Sequence, residues 1–179
     1  YFSSLPQNRE RIYIVCFRDK QDADKFTMFD KIDEYKRKFT KQERIQQIKG
    51  IIDYGSEIPA KYYYTKAKYP NYFMSEDEYA ASNRTNSVRI NLDEVDEMYE
   101  FYQVRRSMYV RKNQSDVCPT LTANMGTGGH NVPLIKDNKG VRKLTPAETL
   151  RLQGFPAGQG YKMPTEFKGK SFSDSYLYK

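Results

Sequence analysis

Three polar residues near the start of the chain have the types and spacing for contact with an anion or a nucleic-acid base. They are Gln7, Arg9 and Arg11, in the segment Gln7-Asn8-Arg9-Glu10-Arg11. Because alternate residues of an extended segment point the same way, all three would line one face. A planar guanidinium forms bidentate, charge-assisted hydrogen bonds with a phosphate or with the carbonyl edge of a base. A charged lead-in to an ordinary strand has the same composition, and these residues alone favour that simpler interpretation.

A second segment, residues 118–133, combines short hydroxyl side chains with a glycine-rich loop. Glycine lets backbone N–H groups approach phosphates closely, and hydroxyls bond phosphates or bases. A surface loop has the same composition, and no Gly-Lys-Ser/Thr follows that would make a P-loop. The single histidine, His130, has no partners for a metal cluster or a catalytic triad.

A third segment, residues 142–156, has the pattern of a capped helix. Thr145 is a natural N-cap and Glu148 follows three residues later, which makes a capping box. Pro146 fits the first helical position, and Gly154 fits the left-handed residue that ends a helix. The segment's arginines are expected to bond carbonyls and carboxylates between domains. We therefore predict structural roles for Arg142, Thr145, Glu148, Arg151 and Gly154.

The elements that would carry these segments follow from hydropathy and turn signals. Residues 11–18 are a short β-branched apolar run, which predicts a buried strand with Cys16 as a small core residue. Residues 19–52 are helical in pattern and predict two helices. The break between them falls near Thr40, which forms a second capping box with Glu43.

Further along the chain the signals are shorter. Ser75 and Glu78 make a third capping box, for a helix over residues 76–82. A hairpin-type turn is predicted at residues 137–140. Alternation and turn signals predict strands over residues 88–92, 99–104, 107–111 and 132–135, with the second and third paired. Helices and hairpins in this mixture predict an α+β fold.

The charge balance favours a polyanionic partner. The 179 residues include 30 Lys and Arg against 23 Asp and Glu, a formal net charge of +7, with 16 Tyr, 10 Phe and no Trp. Aromatic rings beside cations suit nucleic acids, yet many basic proteins bind none, so charge alone does not decide between a nucleic-acid partner and none. Cys16 and Cys118 are too few and too far apart for a metal site or a disulfide framework. No apolar run approaches ~18 residues and no secretory leader is evident, so we expect a cytoplasmic protein without a metal.

The three segments, in this order, resemble motifs of the DNA (cytosine-5) methyltransferases. Residues 7–15 resemble the eighth motif, residues 118–135 the end of the target recognition domain, and residues 142–156 the ninth motif. The stretch between the first two fits the variable recognition domain of that family. The resemblance divides the chain into a strand of the catalytic α/β sheet (residues 1–18), a small mixed recognition domain with β-hairpins and several helices (19–141), and the ninth-motif helix with a tail leading towards the tenth motif (142–179).

This resemblance implies roles for the polar residues. Arg11 would contact the flipped cytosine near its O2. Arg9 and Gln7 would have supporting roles, in contact with a DNA phosphate and in the active-site structure. A cation there stabilises the charge that develops when a nucleophile adds to the ring, after the base has left the stack. The pair Thr120-Leu121 would pack near the target nucleotide. Further DNA contacts are expected from Thr122, Asn124, Gly126, Gly128, Gly129, His130, Arg105, Arg106, Arg111 and Lys112.

Several motifs of the family do not occur in this sequence. We find no cofactor-binding glycine turn, no Pro-Cys-Gln nucleophile, no Glu-Asn-Val segment and no Gly-Asn-Ser-Val core. Cys118 precedes a proline in the wrong segment and is predicted to be a small buried residue. We therefore expect the C-terminal part of such an enzyme, cut on both sides. S-adenosylmethionine would serve the parent enzyme, whereas the chain alone would bind none and be inactive.

The parent implied by the resemblance is a bacterial enzyme of restriction-modification type that methylates C5 of a flipped cytosine in a specific duplex site. The expected partners are double-stranded DNA and the missing N-terminal catalytic region or a partner subunit. The first strand would have an unpaired edge, so a strand-exchanged homodimer is a further expectation. A non-catalytic DNA-binding module, one half of a split methyltransferase, and a basic structural or RNA-binding domain stay open as alternatives.

Overall fold

A computed structural model describes residues 4–82, 90–105, 109–114, 116–126, 132–158 and 160–179. In these ranges the α-helices are α1 (Lys20–Asp24), α2 (Lys41–Lys49), α3 (Glu76–Ala81), α4 (Pro146–Leu152) and α5 (Asp174–Leu177). The strands are β1 (Tyr102–Arg105), β2 (Tyr109–Lys112), β3 (Leu134–Asp137), β4 (Gly140–Lys143), β5 (Glu166–Phe167) and β6 (Lys170–Ser171). Short 3-10 turns lie at Ile32–Tyr35, Ala60–Tyr62, Pro70–Tyr72, Leu92–Glu94 and Ala123–Gly126. The predicted α+β fold class is confirmed.

The larger sheet has four antiparallel strands in the order β2-β1-β3-β4. In the first hairpin Tyr102 of β1 lies opposite Lys112 of β2, and in the second Asp137 of β3 lies opposite Gly140 of β4. The two hairpins join where Tyr102 pairs with Leu134. The pairing predicted between residues 99–104 and 107–111 is present as β1 and β2, and the turn predicted at residues 137–140 joins β3 to β4, a strand that the sequence did not predict. The small β5–β6 hairpin and α5 occupy the tail, where the sequence showed no clear period.

Two clusters of buried apolar residues form the core. Leu134 and Ile135 are neighbours on β3 but belong to different clusters, because successive side chains of a strand point to opposite faces of the sheet. The first cluster contains Ile135 with Ile48 of α2 and Leu152 of α4. The second cluster contains Leu134 together with Ile90, Leu92, Val95, Tyr102, Val110 and Val141. The larger sheet therefore carries core on both of its faces.

All three predicted capping boxes are present. In α2, α3 and α4 the N-cap hydroxyl accepts a hydrogen bond from the N3 backbone N–H, and the N3 glutamate accepts one from the N-cap N–H. The N-caps are Thr40, Ser75 and Thr145. The boxes of α2 and α3 are exposed, whereas Thr145 and Glu148 are buried. Only the third box therefore places its carboxylate inside the protein.

The strand predicted for residues 11–18 is wrong for this structure. The segment has no regular secondary structure over residues 11–17, and its apolar side chains face solvent, with Ile12 90% and Ile14 83% exposed. Cys16, predicted as a core residue, is exposed as well. A buried strand needs neighbouring strands and covered faces, and none of the described residues supplies either.

The first of the two helices predicted within residues 19–52 is also wrong. The five residues of α1 and the turn Ile32–Tyr35 replace it, and α1 buries none of its side chains. Short helices are marginal in water unless an apolar face packs on something. The strand predicted for residues 88–92 falls partly outside the described residues. Its remainder forms a single bridge from Asn91 to Phe73 and then a 3-10 turn.

No helix among the described residues has the length and apolarity to cross a membrane.

Two glycines that follow helices should respond oppositely to alanine. Gly154 has a φ of +94°, and a Cβ there would lie 3.3 Å from Leu5 Cδ1, so Gly154→Ala should lower the free energy of unfolding by about 1 kcal/mol. Gly50 has a φ of −74° and room for a Cβ, so Gly50→Ala should be neutral or raise it by about 0.5 kcal/mol. Urea unfolding followed by circular dichroism measures both. Equal effects of the two substitutions would contradict the assigned backbone at Gly154.

Candidate nucleic-acid interface

The first and second segments meet in a short stretch of backbone pairing. Gln7 and Cys118 form a parallel β-bridge. The Asn8 N–H donates to the Cys118 carbonyl at 2.7 Å, and the Cys118 N–H donates to the Pro6 carbonyl at 2.6 Å. The Thr120 hydroxyl also donates to the Asn8 carbonyl at 2.6 Å. The Thr120 proton is thus committed to the first segment, while its oxygen retains acceptor capacity.

The three polar side chains of the first segment do not share one exposed face. Gln7 is only 9% exposed, and its Nε2 has no hydrogen-bond partner among the described residues. Arg9 and Arg11 are exposed, and Arg11 Nη1 donates to the Glu10 carbonyl at 2.6 Å. The bridge to the second segment turns Gln7 inward. The two guanidinium groups are therefore the members of the set that an external anion can reach.

The second segment divides into a buried and an exposed part. Cys118 and Leu121 are buried, so the Leu121 side chain belongs to the core rather than to the surface. Burial raises the pKa of the Cys118 thiol, which agrees with the predicted buried, non-nucleophilic residue. Thr122 and Asn124 are exposed, and the turn Ala123–Gly126 follows. Gly128, Gly129, His130 and Arg106 lie outside the described residues.

The β1–β2 hairpin sorts the predicted DNA-contacting cations onto two faces. Gln103 lies opposite Arg111 and Arg105 opposite Tyr109, and these four side chains share one face because they occupy alternate positions in register. Arg105 and Arg111 are exposed. Lys112 belongs to the other face, where its ammonium contacts Glu97 at 2.6 Å and the pKa of Lys112 is raised, first by that hydrogen bond. The exposed face therefore presents two guanidinium groups beside a tyrosine and an amide.

The third segment is organised around Arg142, which is completely buried. Its Nε donates to Asp137 Oδ2 at 2.8 Å, and its two terminal nitrogens donate to the two oxygens of Glu148 at 2.8 and 2.9 Å. Burial acts to lower the pKa of Arg142, but the hydrogen bonds and negative charges of Glu148 and Asp137 raise it overall. The guanidinium thus stays charged and joins the β3–β4 hairpin to α4.

Asp53, just beyond α2, completes this cluster. Its N–H donates to Glu148 Oε1 at 2.9 Å, and its carbonyl accepts from Arg142 Nη2 at 3.2 Å. Its carboxylate forms a two-pronged ion pair with Arg151, one contact of which measures 3.0 Å. Helix α4 is therefore held to the end of α2 as well as to the sheet.

The second carboxylate of the buried cluster, Asp137, is also fully engaged. Its Oδ1 accepts from the N–H groups of Lys139 and Gly140 at 2.8 and 3.1 Å, which shapes the β3–β4 turn. Its Oδ2 accepts from the Tyr63 hydroxyl at 2.8 Å, in addition to Arg142. Burial and this hydrogen bond raise the pKa of Tyr63 to about 12. Such a buried ion pair is tolerated when every lone pair and proton has a partner.

The third segment also lies close to the start of the first, because Gly154 approaches Leu5, two residues before Gln7. A Cβ built there would lie 3.3 Å from Leu5 Cδ1, so the end of α4 abuts the residues that lead into Gln7. All three segments that the sequence singled out are therefore neighbours in the fold. The described residues contain no group of three His, Cys, Asp or Glu side chains arranged to hold a metal ion.

Comparison with known proteins decides the family. The sequence profile described as "C-5 cytosine-specific DNA methylase" matches residues 3–173. The chain belongs to this family. It resembles the Type II methyltransferase M.Bsp6I of Bacillus sp. (strain RFL6), with 41% identity over 157 residues that cover 87% of this chain and 41% of that protein.

More distant relatives give the same picture. M.DsaV of Dactylococcopsis salina is 29% identical over 153 residues, covering 86% of this chain and 35% of that protein. M1.ScrFI of Lactococcus lactis subsp. cremoris is 28% identical over 164 residues, covering 85% and 31%. This methylase chain thus spans about two fifths or less of the length of the relatives it matches. No solved structure matches it.

Sequence reasoning missed some residues of the methylase chain that organise the site. Asp53 and Tyr63 are far from Arg142 in sequence, and neither carries a local signal that marks it as a partner. The sequence predicts Asp137 as a turn residue, which it is, but does not predict its bond to Arg142. The sequence does contain one signal for this bond. An acidic residue lies in the turn of a hairpin, and the return strand carries an arginine that points inward.

Removing the buried cation should destabilise the fold strongly. In Arg142→Met the carboxylates of Glu148 and Asp137 stay buried without their cation, which should lower the free energy of unfolding by about 3–5 kcal/mol. The exposed control, Arg105→Met, should change it by less than about 0.5 kcal/mol. Chemical unfolding followed by circular dichroism compares them, and similar midpoints would contradict the role assigned to Arg142.

Proposed function

We propose that this chain carries the target recognition domain and an active-site arginine segment of a DNA (cytosine-5) methyltransferase. The whole enzyme would transfer a methyl group to C5 of a cytosine flipped out of a specific duplex site, as part of bacterial restriction-modification. Family membership supports this reaction class. The observation that carries the proposal is the backbone pairing of Gln7 and Asn8 with Cys118, reinforced by the Thr120 hydroxyl on the Asn8 carbonyl. Arg9 and Arg11, which follow this pairing, are exposed.

The proposed division of labour follows from the chemistry of each group. Arg11 donates to the O2 edge of the flipped cytosine and stabilises the negative charge that develops on the ring, and Arg9 holds a nearby phosphate. Gln7 supports them from its buried position against the second segment. Thr120 fixes the first segment through the Asn8 carbonyl, and Leu121 supports it from the core.

DNA recognition is assigned to the exposed face of the β1–β2 hairpin and to the second segment. Arg105 and Arg111 share that face with a tyrosine and an amide, which suits contacts to phosphates and base edges. Lys112, engaged with Glu97, is a weaker candidate. The remaining proposed contacts are Arg106, Thr122, Asn124, Gly126, Gly128, Gly129 and His130.

S-adenosylmethionine supplies the methyl group in this family. The described strands of this chain do not fit its binding, because none of them leads through a glycine turn into a helix, the arrangement that holds such a cofactor. We assign the cofactor and the nucleophile to the rest of the enzyme. The chain alone is accordingly proposed to be inactive.

The exposed apolar run at residues 12–17 favours a partner polypeptide over a stand-alone DNA-binding module. Ile12, Tyr13 and Ile14 are all at least 75% exposed, and contiguous exposed apolar surface marks an interaction site. We propose that the rest of the enzyme, in the same chain or in a second subunit of a split enzyme, pairs with this run. In its absence a second copy of the chain takes that place.

Methyl transfer on duplex DNA tests the enzymatic proposal. This chain is mixed with the part of M.Bsp6I that it does not cover and with labelled S-adenosylmethionine, and label at C5 of cytosine is expected only from the mixture. Arg11→Ala should lower the transfer rate about 100-fold or more, because it removes a donor to the developing charge. Arg18→Ala, an exposed arginine outside the motif, should leave the rate unchanged. Methylation of an exocyclic amine, or an Arg11→Ala rate equal to the parent, would refute the assignment.

Light scattering tests the partner surface. The chain alone should associate in a concentration-dependent way, and Ile12→Asp/Ile14→Asp should make it monomeric without lowering its unfolding midpoint, since both side chains are exposed. Phe167→Asp, at an exposed apolar residue of the β5–β6 hairpin, is the matched control and should still associate. A parent chain that is monomeric at all concentrations would count against this surface.

A further inference from the structure

Two lysine side chains converge on one tyrosine ring beside β4, where Tyr63 forms a β-bridge with Arg142. Lys61 Nζ lies 5.0 Å from the centroid of the Tyr62 ring, and Lys143 Nζ lies 5.7 Å from the same centroid. Lys143 Nζ also lies 5.6 Å from the centroid of Tyr178. These distances are within the range of cation–π attraction. We call this group, with the one carboxylate that touches it, the lysine–tyrosine cluster: Lys61, Tyr62, Lys143, Asp174 and Tyr178.

Positive charge in the lysine–tyrosine cluster exceeds negative charge. Asp174 is its carboxylate, with Oδ1 2.8 Å from Lys61 Nζ and 3.3 Å from the Tyr62 hydroxyl that donates to it. Lys143 forms no ion pair with any carboxylate of the described residues. Burial lowers the pKa of Lys143, Asp174 opposes that shift, and the positive charges of Lys61 and Lys68 add to it. The two ammonium groups of the cluster therefore share one carboxylate.

The fold, rather than mutual attraction, holds these like charges together. Lys143 is fixed in β4 by its pairing with Leu134 of β3. Tyr178 is fixed by the hydrogen bond that its hydroxyl donates to the Leu144 carbonyl at 2.5 Å. Each lysine faces an aromatic ring that offers only a partial counter-charge. An anion that bridged the two ammonium groups would relieve the repulsion between them.

The cluster adjoins the candidate interface. Asp174 begins α5, and α5 packs against the turn Ala123–Gly126 of the second segment. Tyr178 belongs to the same core cluster as Leu121. None of the roles proposed above uses Lys61, Lys143 or Tyr178.

We propose that the lysine–tyrosine cluster binds a phosphate group, and that within the proposed function this is a phosphate of the DNA backbone. Two ammonium groups carry six N–H donors, one of which bonds Asp174, and phosphate oxygens accept such bonds strongly. A phosphate contact does not depend on the base sequence. Its role would be to fix the position of the duplex against the recognition domain. The DNA part of this inference rests on the proposed function, whereas phosphate binding as such does not.

Binding to a duplex DNA, measured by fluorescence anisotropy over a range of salt concentrations, is the first arm of the test. Lys143→Gln should weaken binding and reduce the slope of log K against log salt by about 1, and Lys61→Gln should act in the same direction. Lys49→Gln is the matched control, because Lys49 also stacks on a tyrosine, at 4.7 Å from the Tyr99 ring, but without a second lysine. It should leave the slope unchanged.

Removing the carboxylate of the cluster should strengthen DNA binding, the opposite of removing a lysine. Asp174→Asn removes the carboxylate that competes for Lys61 and should tighten DNA binding. Asp33→Asn, which removes a carboxylate paired with Lys36 on the exposed surface, gives the same net charge and should have a smaller effect. Lys143→Arg keeps the charge and should restore binding relative to Lys143→Gln, which separates loss of charge from loss of fold.

The second arm is a titration with inorganic phosphate, followed by amide resonances of the 15N-labelled chain. The resonances of Lys61 and Lys143 should shift saturably with phosphate and not with chloride at equal ionic strength, and Lys143→Gln should abolish the shifts.

Phosphate shifts with an unchanged DNA slope would overturn the DNA assignment and leave a small phosphate compound as the ligand. No shifts and no slope change, in a chain that binds DNA, would overturn the site while the proposed function stands. If the chain bound no DNA, the proposed function would fail and the phosphate arm alone would decide the site.

Discussion

The buried guanidinium of Arg142 is the constraint on which the rest of the structure depends. Taking a charge out of water costs several kcal/mol, and the interior repays this only if every hydrogen bond of the ion is made. Here two carboxylates and the backbone of Asp53 surround it. A hairpin, a helix and the end of another helix must therefore be in place together. The β1–β2 hairpin inherits this rigidity, because β3 pairs with β1 at Leu134 and Tyr102.

What the sequence predicted well was local. The capping boxes of α2, α3 and α4 and the turn between β3 and β4 depend on residues within four positions of each other, so their signals are complete in the sequence. The buried cluster around Arg142 depends on partners that are far apart in the sequence. Asp53 lies 89 positions from Arg142, and only the folded chain brings their atoms within 3.2 Å. The strand predicted from the apolar run at residues 12–17 is wrong for a related reason. A buried strand needs apolar side chains and a neighbouring strand, and the sequence of the run shows only the apolar side chains.

Motif resemblance and packing contributed different information about the candidate site. The motifs indicated which residues to examine, and the structure brought the three segments together through Gln7, Cys118 and Gly154. The direction in which each side chain points is set by packing alone. Gln7 and Leu121 point inward, while Arg9 and Arg11 point outward, although a motif treats all of them alike. The face occupied by Arg105 and Arg111 likewise follows from strand register and not from sequence similarity.

The contacts of Arg142 have a consequence for how this region can change. Together with the bonds of Glu148 and Arg151, they pin residue 53 to residues 142–151, so the intervening chain is a closed loop with fixed ends. The entropy of closing such a loop grows slowly with length, by about 0.6 kcal/mol per doubling. Insertions and deletions between the anchors therefore cost little, provided that the chain still covers the two faces of the sheet. The same anchors can therefore hold intervening segments of different length in place.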